Sequence, residues 1–156
     1  MRVIKYKTVL TETGKVVLEK ELSVNCPDVD RFMNSPDKIV RLATDFLRMH
    51  EETEEYLYMV CLNTKLKMTS VFEISHGNVN SSIFSTREIL QKALLANAVS
   101  IIMLHNHPSG DSKPSREDVQ VTERLKEAGK IVGIGVLDHI VIGRGNYTSL
   151  KEKGHI

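Results

Sequence analysis

Two histidines and an aspartate stand at a spacing that suits a metal centre. His105 and His107 are separated by one residue, and Asp118 follows eleven residues after His107. Two imidazole nitrogens and one carboxylate oxygen are donors that zinc accepts when it keeps a fourth position for water. The pattern therefore predicts a three-ligand zinc site formed by His105, His107 and Asp118.

The elements around these residues explain how their side chains can meet. Residues 101–104 are apolar, which is typical of a buried strand, and side chains two residues apart on a strand point to the same face. A loop rich in proline and glycine follows, and Ser115 precedes a helix predicted over 116–128 and ended by Gly129. Asp118 would then lie in the first helical turn, where the helix dipole favours a carboxylate.

Helix capping offers a second explanation for the last two residues of the pattern. Ser115 and Asp118 have nearly the spacing of a capping box, which accounts for both without any ion. For Ser115 the two explanations are compatible, since its hydroxyl can cap the helix and still point into the site. For Asp118, capping and metal ligation compete.

The complete pattern resembles the JAMM signature of the JAB/MPN metalloprotease superfamily. His-x-His, seven further residues and Ser-x-x-Asp are matched by His105, His107, Ser115 and Asp118. The segments HNHPSG, PSREDV and LDHIVIGRGNYTSL resemble its RadC-like branch, over roughly residues 45–150. The resemblance implies ligation by Asp118, and it implies that Ser115 donates a hydrogen bond to the oxyanion of a peptidase reaction.

The resemblance also implies a general base, a glutamate immediately before the first buried strand of the domain. Glu55 precedes the apolar run 56–60 and fits that place. Glu54, one residue earlier, would face the other way, and Glu73 lies in the middle of a later strand. Both stay open as alternatives, as does a solvated acidic run over 51–55.

Other polar residues near the pattern are expected to support it. Ser109 and Asn106 would lie behind the ligands, with Asn106 facing away from the metal and holding the loop through backbone hydrogen bonds. Asp138 and His139 look like an acid and base pair, but they lack metal-type spacing to the other residues. A buried, hydrogen-bonded His139 is therefore the prediction.

Three other activities are not supported by the residues. The contiguous His-Asn-His at 105–107 is unlike the HNH nucleases, which spread these residues along a ββα unit. Gly143 and Gly145 lack the third glycine and the helix of a dinucleotide site. Ser115 has no ordered histidine base and third group that would make it a nucleophile.

Composition places the chain among ordinary globular domains. It has 156 residues, 41% of them hydrophobic, and a formal net charge of +1, which favours neither a polyanion nor an anionic membrane as partner. Basic spots such as Lys151 and Lys153 are expected to be solvated faces. Cys26 and Cys61 are far apart, which predicts reduced thiols, and no membrane span or signal peptide is recognised. The cytoplasm is the expected compartment.

Hydropathy patterns predict a mixed α+β fold, a β-sheet flanked by helices with an added N-terminal hairpin. Residues 1–34 are assigned to the hairpin and 35–156 to the metal-binding domain, whose resemblance implies a cytidine-deaminase-like sandwich. Ser35 begins an amphipathic helix expected to reach about His50. The other predicted elements are strands 2–10, 15–22, 56–63, 66–75, 131–136 and 139–142, and a helix over 89–97 that follows a capping box at Ser85.

The function expected from the resemblance is a zinc-dependent hydrolase that cleaves a peptide or isopeptide bond in a peptide or protein substrate. The alternative is a RadC-like metal-binding accessory protein in DNA repair or recombination without peptidase activity. Balanced charge and the absence of a helix-hairpin-helix pattern from this sequence both argue against nucleic acid as partner. Cobalt, nickel and iron would suit the same ligands. Substrate identity and oligomeric state are not predicted.

Overall fold

The computed structural model describes residues 1–27, 30–77 and 85–156. The strands are β1 Arg2–Leu10, β2 Val16–Asn25, β3 Tyr56–Leu62, β4 Met68–His76, β5 Ser100–Asn106, β6 Gly135–Ile142 and β7 Tyr147–Ser149. The helices are α1 Pro36–Arg41, α2 Thr86–Leu95 and α3 Arg116–Val132, with a π-helical turn at Leu42–Phe46 and a 3-10 turn at Met49–Glu51.

All seven strands form one mixed sheet in the order β2-β1-β4-β3-β5-β6-β7. The pairs β1·β4 and β5·β6 are parallel, and the other neighbours are antiparallel. Strand β5, which carries the histidine pair, lies inside the sheet between β3 and β6. The predicted mixed α/β class is therefore confirmed.

Helices cover both faces of this sheet. Alternate residues of β5 separate two cores: Ile102 and Leu104 pack on the side of α1, and Ile101 and Met103 on the side of α2 and α3. All four side chains are at most 1% exposed. Such alternation follows from the pleat, which sends successive side chains to opposite faces.

The N-terminal hairpin is also confirmed, and it extends the main sheet. Strand β1 pairs in parallel with β4, with Lys5 opposite Val71 and Tyr6 opposite Phe72. The Lys5 Nζ lies 2.7 Å from the Glu73 carboxylate, which adds an ion pair at the seam. The hairpin is therefore joined to the domain by backbone pairing, side-chain packing and charge.

The first helix is shorter than predicted. The α-helical pattern ends at Arg41, and the Leu47 N–H then donates to the Leu42 carbonyl at 3.1 Å, a π-type bond. Arg48 adopts a left-handed conformation (φ 52°), which turns the chain so that Met49 enters the core at 0% exposure. The prediction that this helix reaches about His50 is wrong because tertiary packing of Met49 overrides the helical periodicity.

Helix α3 is longer than predicted. It passes through Gly129 and ends at Val132, with Gly133 as a C-cap whose φ of 76° suits glycine. The start of the predicted strand 131–136 is therefore wrong, whereas the predicted strand 139–142 is confirmed as part of one longer strand, β6. Gly129 has a packing role inside the helix, since the Ile134 carbonyl oxygen lies 2.5 Å from where a Cβ on residue 129 would stand.

Among the described residues, no helix combines the length and the apolar character needed to cross a lipid bilayer.

Gly129→Ala tests this close approach. Alanine has a helix propensity about 1 kcal/mol better than glycine, yet its Cβ would overlap the Ile134 carbonyl. We expect the free energy of unfolding to fall by about 1–3 kcal/mol, as in other overpacked cores. Urea denaturation measures it, with the exposed Glu123→Ala as a control that should change stability by less than about 0.5 kcal/mol. A stabilised Gly129→Ala would contradict the packing described.

Candidate metal centre

The end of β5 carries two imidazoles side by side on the sheet face covered by α2 and α3. The ring centroids of His105 and His107 are 4.8 Å apart, with the ring planes almost perpendicular at 88°. His105 is 2% exposed and lies opposite Leu57 of β3. The His107 N–H donates to the Ile142 carbonyl at 2.9 Å, which holds the chain beside β6 just past the end of β5.

Asp118, in the first turn of α3, lies against both histidines. Its Oδ1 is 3.3 Å from His105 Nδ1, and its Oδ2 is 3.6 Å from His107 Nε2. Ligand atoms at zinc distances of 2.0–2.1 Å are about 3.3 Å apart in a tetrahedron. The separations of Asp118 from the two rings are near this value, and they involve different carboxylate oxygens, Oδ1 for His105 and Oδ2 for His107.

The same carboxylate completes a capping box. The Ser115 N–H donates to Asp118 Oδ2 at 2.7 Å, and the Ser115 Oγ accepts from the Asp118 N–H at 3.0 Å. Capping and contact with His105 do not compete, because one carboxylate oxygen faces each partner. Burial alone would raise the pKa of Asp118, but hydrogen bonds from His105, His107 and Ser115 outweigh it and hold that pKa well below its usual range.

Glu55 flanks the histidine pair from another side. It immediately precedes β3, and its Oε2 lies 3.9 Å from His105 Nε2. One ligand atom from each of Glu55, His105 and His107 lies within 4.8 Å of the other two, so these three residues form a group able to hold a cation. Asp118 lies outside that group, but its contact with His105 is shorter than that of Glu55, and its side chain is 6% exposed against 36% for Glu55.

The other two candidate glutamates have different surroundings. Glu73 bonds with Lys5 at 2.7 Å and His76 at 2.8 Å, and although burial acts to raise its pKa, these partners lower it. The Glu54 side chain lies beside Gly77, with its Oε2 about 4.0 Å from where a Cβ on residue 77 would stand. Among the described glutamates, Glu55 is the one grouped with the two histidines.

Asn106 holds the backbone on both sides of Glu55. Its Oδ1 accepts from the Tyr56 N–H at 2.6 Å, and its Nδ2 donates to the Glu54 carbonyl at 3.0 Å. The expectation that Asn106 holds its own loop is therefore wrong. At 1% exposure and with both side-chain groups engaged across the sheet, it positions the segment that carries Glu55.

The loop after the histidines, residues 107–115, is fixed from two directions. The His107 Nδ1 donates to the Asp111 carbonyl at 2.8 Å, so Nδ1 carries a proton, and Nε2 is the nitrogen that faces Asp118. Gly143 lets the loop pass close to the end of β6, since a Cβ at this position would stand 2.9 Å from the Ser112 backbone nitrogen. Ser109 has a local role, accepting from the Asp111 N–H at 3.4 Å.

A buried polar chain lies behind the ligands, and its middle member escaped sequence reasoning. Thr122 donates its hydroxyl proton to the Asp118 backbone carbonyl at 2.6 Å. The His139 Nδ1 lies 2.6 Å from the Thr122 Oγ1, so this nitrogen must be protonated and donate to the hydroxyl oxygen. Burial lowers the pKa of His139 to about 3 and keeps it neutral. The position of Thr122, one helical turn after Asp118, is the signal that could have found it.

The prediction of a buried, hydrogen-bonded His139 is thus confirmed, while Asp138 serves the opposite face. The Asp138 carboxylate accepts from the Ser149 hydroxyl at 2.6 Å and from the backbone N–H groups of His139 and Lys151. It ties β6 to β7 and to the turn that follows. The two neighbours therefore do not act as an acid and base pair.

Asn106→Ala tests the link between β5 and the Glu55 segment. Loss of the amide leaves a buried N–H and a carbonyl without their partner, so we expect the free energy of unfolding to fall by about 2 kcal/mol or more. Urea denaturation measures the change, with the exposed Asn34→Ala as matched control. Equal stability of the two variants would show that the amide contributes nothing.

His107→Ala tests the metal site directly. We expect the wild type, purified and incubated with zinc, to hold about one ion per chain, and the variant to lose most of it because a neutral imidazole is removed. Elemental analysis after dialysis gives the stoichiometry. His50→Ala removes a histidine outside the group and should keep the metal, whereas retention by His107→Ala would contradict the site.

Comparison with known proteins identifies the family of the chain. A family model described as a RadC-like JAB domain matches residues 33–155. The chain is 42% identical over 139 residues to a UPF0758 protein of Methanosarcina barkeri and 44% identical over 140 residues to one of Caldanaerobacter subterraneus subsp. tengcongensis. These alignments cover 89% and 90% of this chain but 60% and 59% of the relatives, so the chain spans about three fifths of their length. A match to 123 of its residues and identities above 40% show that the chain belongs to the RadC-like JAB domain family.

Proposed function

We propose that this protein is a JAMM-type zinc hydrolase that cleaves a peptide or isopeptide bond. The observation that carries the proposal is the pairing of buried His105 and Asp118 and partly buried His107 with a partly exposed Glu55 at 3.9 Å from His105. A fixed donor set and a neighbouring carboxylate in contact with solvent are the parts that water-dependent hydrolysis needs. Two free cysteines, one of them fully buried, suit the reducing cytoplasm as the place of action.

His105, His107 and Asp118 would hold the cation. Zinc is the first choice because two nitrogens and one oxygen form the donor set of many catalytic zinc sites. A zinc ion bound there would polarise the substrate carbonyl and lower the pKa of a water molecule toward 7. The bond from His107 Nδ1 to the Asp111 carbonyl and the capping box at Asp118 keep two of the donors in place.

Glu55 acts as the general base in this proposal. It takes a proton from the attacking water and delivers it to the leaving amine, so that one carboxylate serves both halves of the reaction. Its side chain is 36% exposed, which lets water and substrate reach it. The Asn106 amide fixes the backbone on both sides of Glu55 and so keeps the carboxylate beside His105.

Ser115 stabilises the oxyanion that forms on the attacked carbonyl. Its Oγ accepts the Asp118 N–H in the helix cap, and its hydroxyl can rotate to donate to a second acceptor. A hydrogen bond made in the transition state by such a donor is worth about 3 kcal/mol of barrier.

A cleft of about 390 Å³ beside Glu55 gives the substrate access. It is lined by Thr53, Glu54, Glu55, Gly77, Pro108 and Ser109, so it spans from the segment before β3 to the loop after the histidines. An extended peptide lying in this cleft would present its carbonyl to the group formed by Glu55 and the two histidines.

Glu55→Gln tests the proposed function. Because glutamine cannot accept the proton, turnover of a cleavable peptide or isopeptide should fall by about 10²–10⁴-fold, while zinc content stays at the wild-type level. A panel of fluorogenic peptide and isopeptide substrates measures turnover, and elemental analysis measures zinc.

Glu54→Gln is the matched control, since it removes the same charge from the neighbouring residue and should keep most of the activity. Full activity of Glu55→Gln would contradict the assigned base. A zinc-loaded wild type that cleaves no member of the panel would contradict the peptidase proposal itself.

A further inference from the structure

A second cavity, of about 630 Å³, lies on the other side of the loop 107–115 and the start of α3. Residues from two distant parts of the chain line it: Lys113 and Arg116 from the loop and helix, and Lys153 and His155 from the C-terminal segment. Its volume lies within the range of small-molecule and side-chain pockets. We call it the cationic cavity.

The cavity concentrates positive charge in a chain that is nearly neutral overall. Lys113, Arg116 and Lys153 are basic side chains, whereas Asp111 is the one carboxylate among the lining residues. Within the described parts of the chain, the ion pairs are formed by other lysines and arginines, so these three charges are not neutralised by a carboxylate contact. The Asp111 Oδ1 is itself engaged by the Lys113 N–H at 2.9 Å.

The wall of this cavity is also the wall of the candidate metal centre. Ser115 lines the cavity, and its N–H donates to Asp118. Asp111 also lines it, and its carbonyl accepts from His107. A group bound in the cationic cavity would therefore lie one loop away from the ligands and directly beside Ser115.

We propose that the cationic cavity is a substrate subsite that binds a carboxylate, supplied by an acidic side chain or by the C-terminus of a peptide. This inference rests on the proposed peptidase function and adds a preference to it. Three cationic side chains lining one cavity give the electrostatic complementarity that favours an anionic partner.

The shape of the cavity favours a peptide over a nucleic acid. Pro114 and Val119 contribute apolar surface to a single concave site, which suits a side chain or a chain end. Nucleic-acid surfaces instead spread basic residues along a stripe that follows successive phosphates.

The test measures binding of three fluorescent peptides to the full chain, zinc-loaded and carrying Glu55→Gln so that no cleavage interferes. One peptide contains Asp-Glu-Glu and an amidated C-terminus, the second contains Asn-Gln-Gln and an amidated C-terminus, and the third contains Asn-Gln-Gln and a free C-terminus. Fluorescence anisotropy gives the three dissociation constants. The first and third peptides separate the two sources of the carboxylate.

We expect at least one carboxylate-bearing peptide to bind roughly tenfold or more tightly than the neutral one. Lys113→Gln combined with Lys153→Gln should remove this advantage, because both lysines lie outside helices and strands and line the cavity. The control is Lys65→Gln, an exposed lysine on the turn between β3 and β4, which should change binding by less than about twofold.

Equal binding of all three peptides, or an unchanged preference in the double lysine variant, would overturn the subsite. Displacement of the acidic peptide by single-stranded DNA at lower concentration than by unlabelled acidic peptide would overturn it as well. Cleavage assays on the wild type report separately on the proposed function. Carboxylate-selective binding without cleavage would refute the peptidase proposal and support the anion site. Cleavage without a carboxylate preference would support the peptidase proposal and refute the anion site.

Discussion

The burial of the Asp118 carboxylate between two imidazoles is the constraint on which the candidate site depends. A buried anion costs several kcal/mol unless hydrogen bonds and opposite charge compensate it. In this chain the compensation comes from the Ser115 N–H, from the N-terminus of α3 and from His105 and His107. The start of α3 and the end of β5 must therefore meet at one place, and the loop between them has to keep them there.

The surrounding residues fix the relative positions of α3, β5 and the loop between them. Thr122 and His139 tie the first turns of α3 to β6 behind the site, while Gly143 leaves room for the loop 107–115 to lie against the end of β6. Asn106 fixes the segment before β3, which carries Glu55, through hydrogen bonds to its backbone. The buried polar groups Thr122, His139 and Asn106 thus fix the positions of the elements around the candidate site.

The loop 107–115 borders both the candidate metal centre and the cationic cavity. One side holds His107 and the approach to Asp118, and the other borders the cationic cavity with Lys113 and Ser115. In the proposed function, a substrate that occupies both the cationic cavity and the cleft beside Glu55 would contact the protein on both sides of the candidate metal centre. Membership of the RadC-like JAB domain family is consistent with the metal chemistry, and the cavity adds a feature of this chain's own residues.

The sequence by itself determined the strand before the histidines, their common face, the cap at Ser115, the N-terminal hairpin and the mixed fold class. These features depend on periodicity, capping and turn residues, which act over a few positions. Only the tertiary structure decided where α1 and α3 end, what Asn106 holds, and that Lys153, exposed as expected, lines a cavity with Lys113. Met49 enters the core after a left-handed Arg48, and Gly129 is pressed by the Ile134 carbonyl. Such contacts join segments through packing in three dimensions, for which neighbouring residues in the chain carry no local signal.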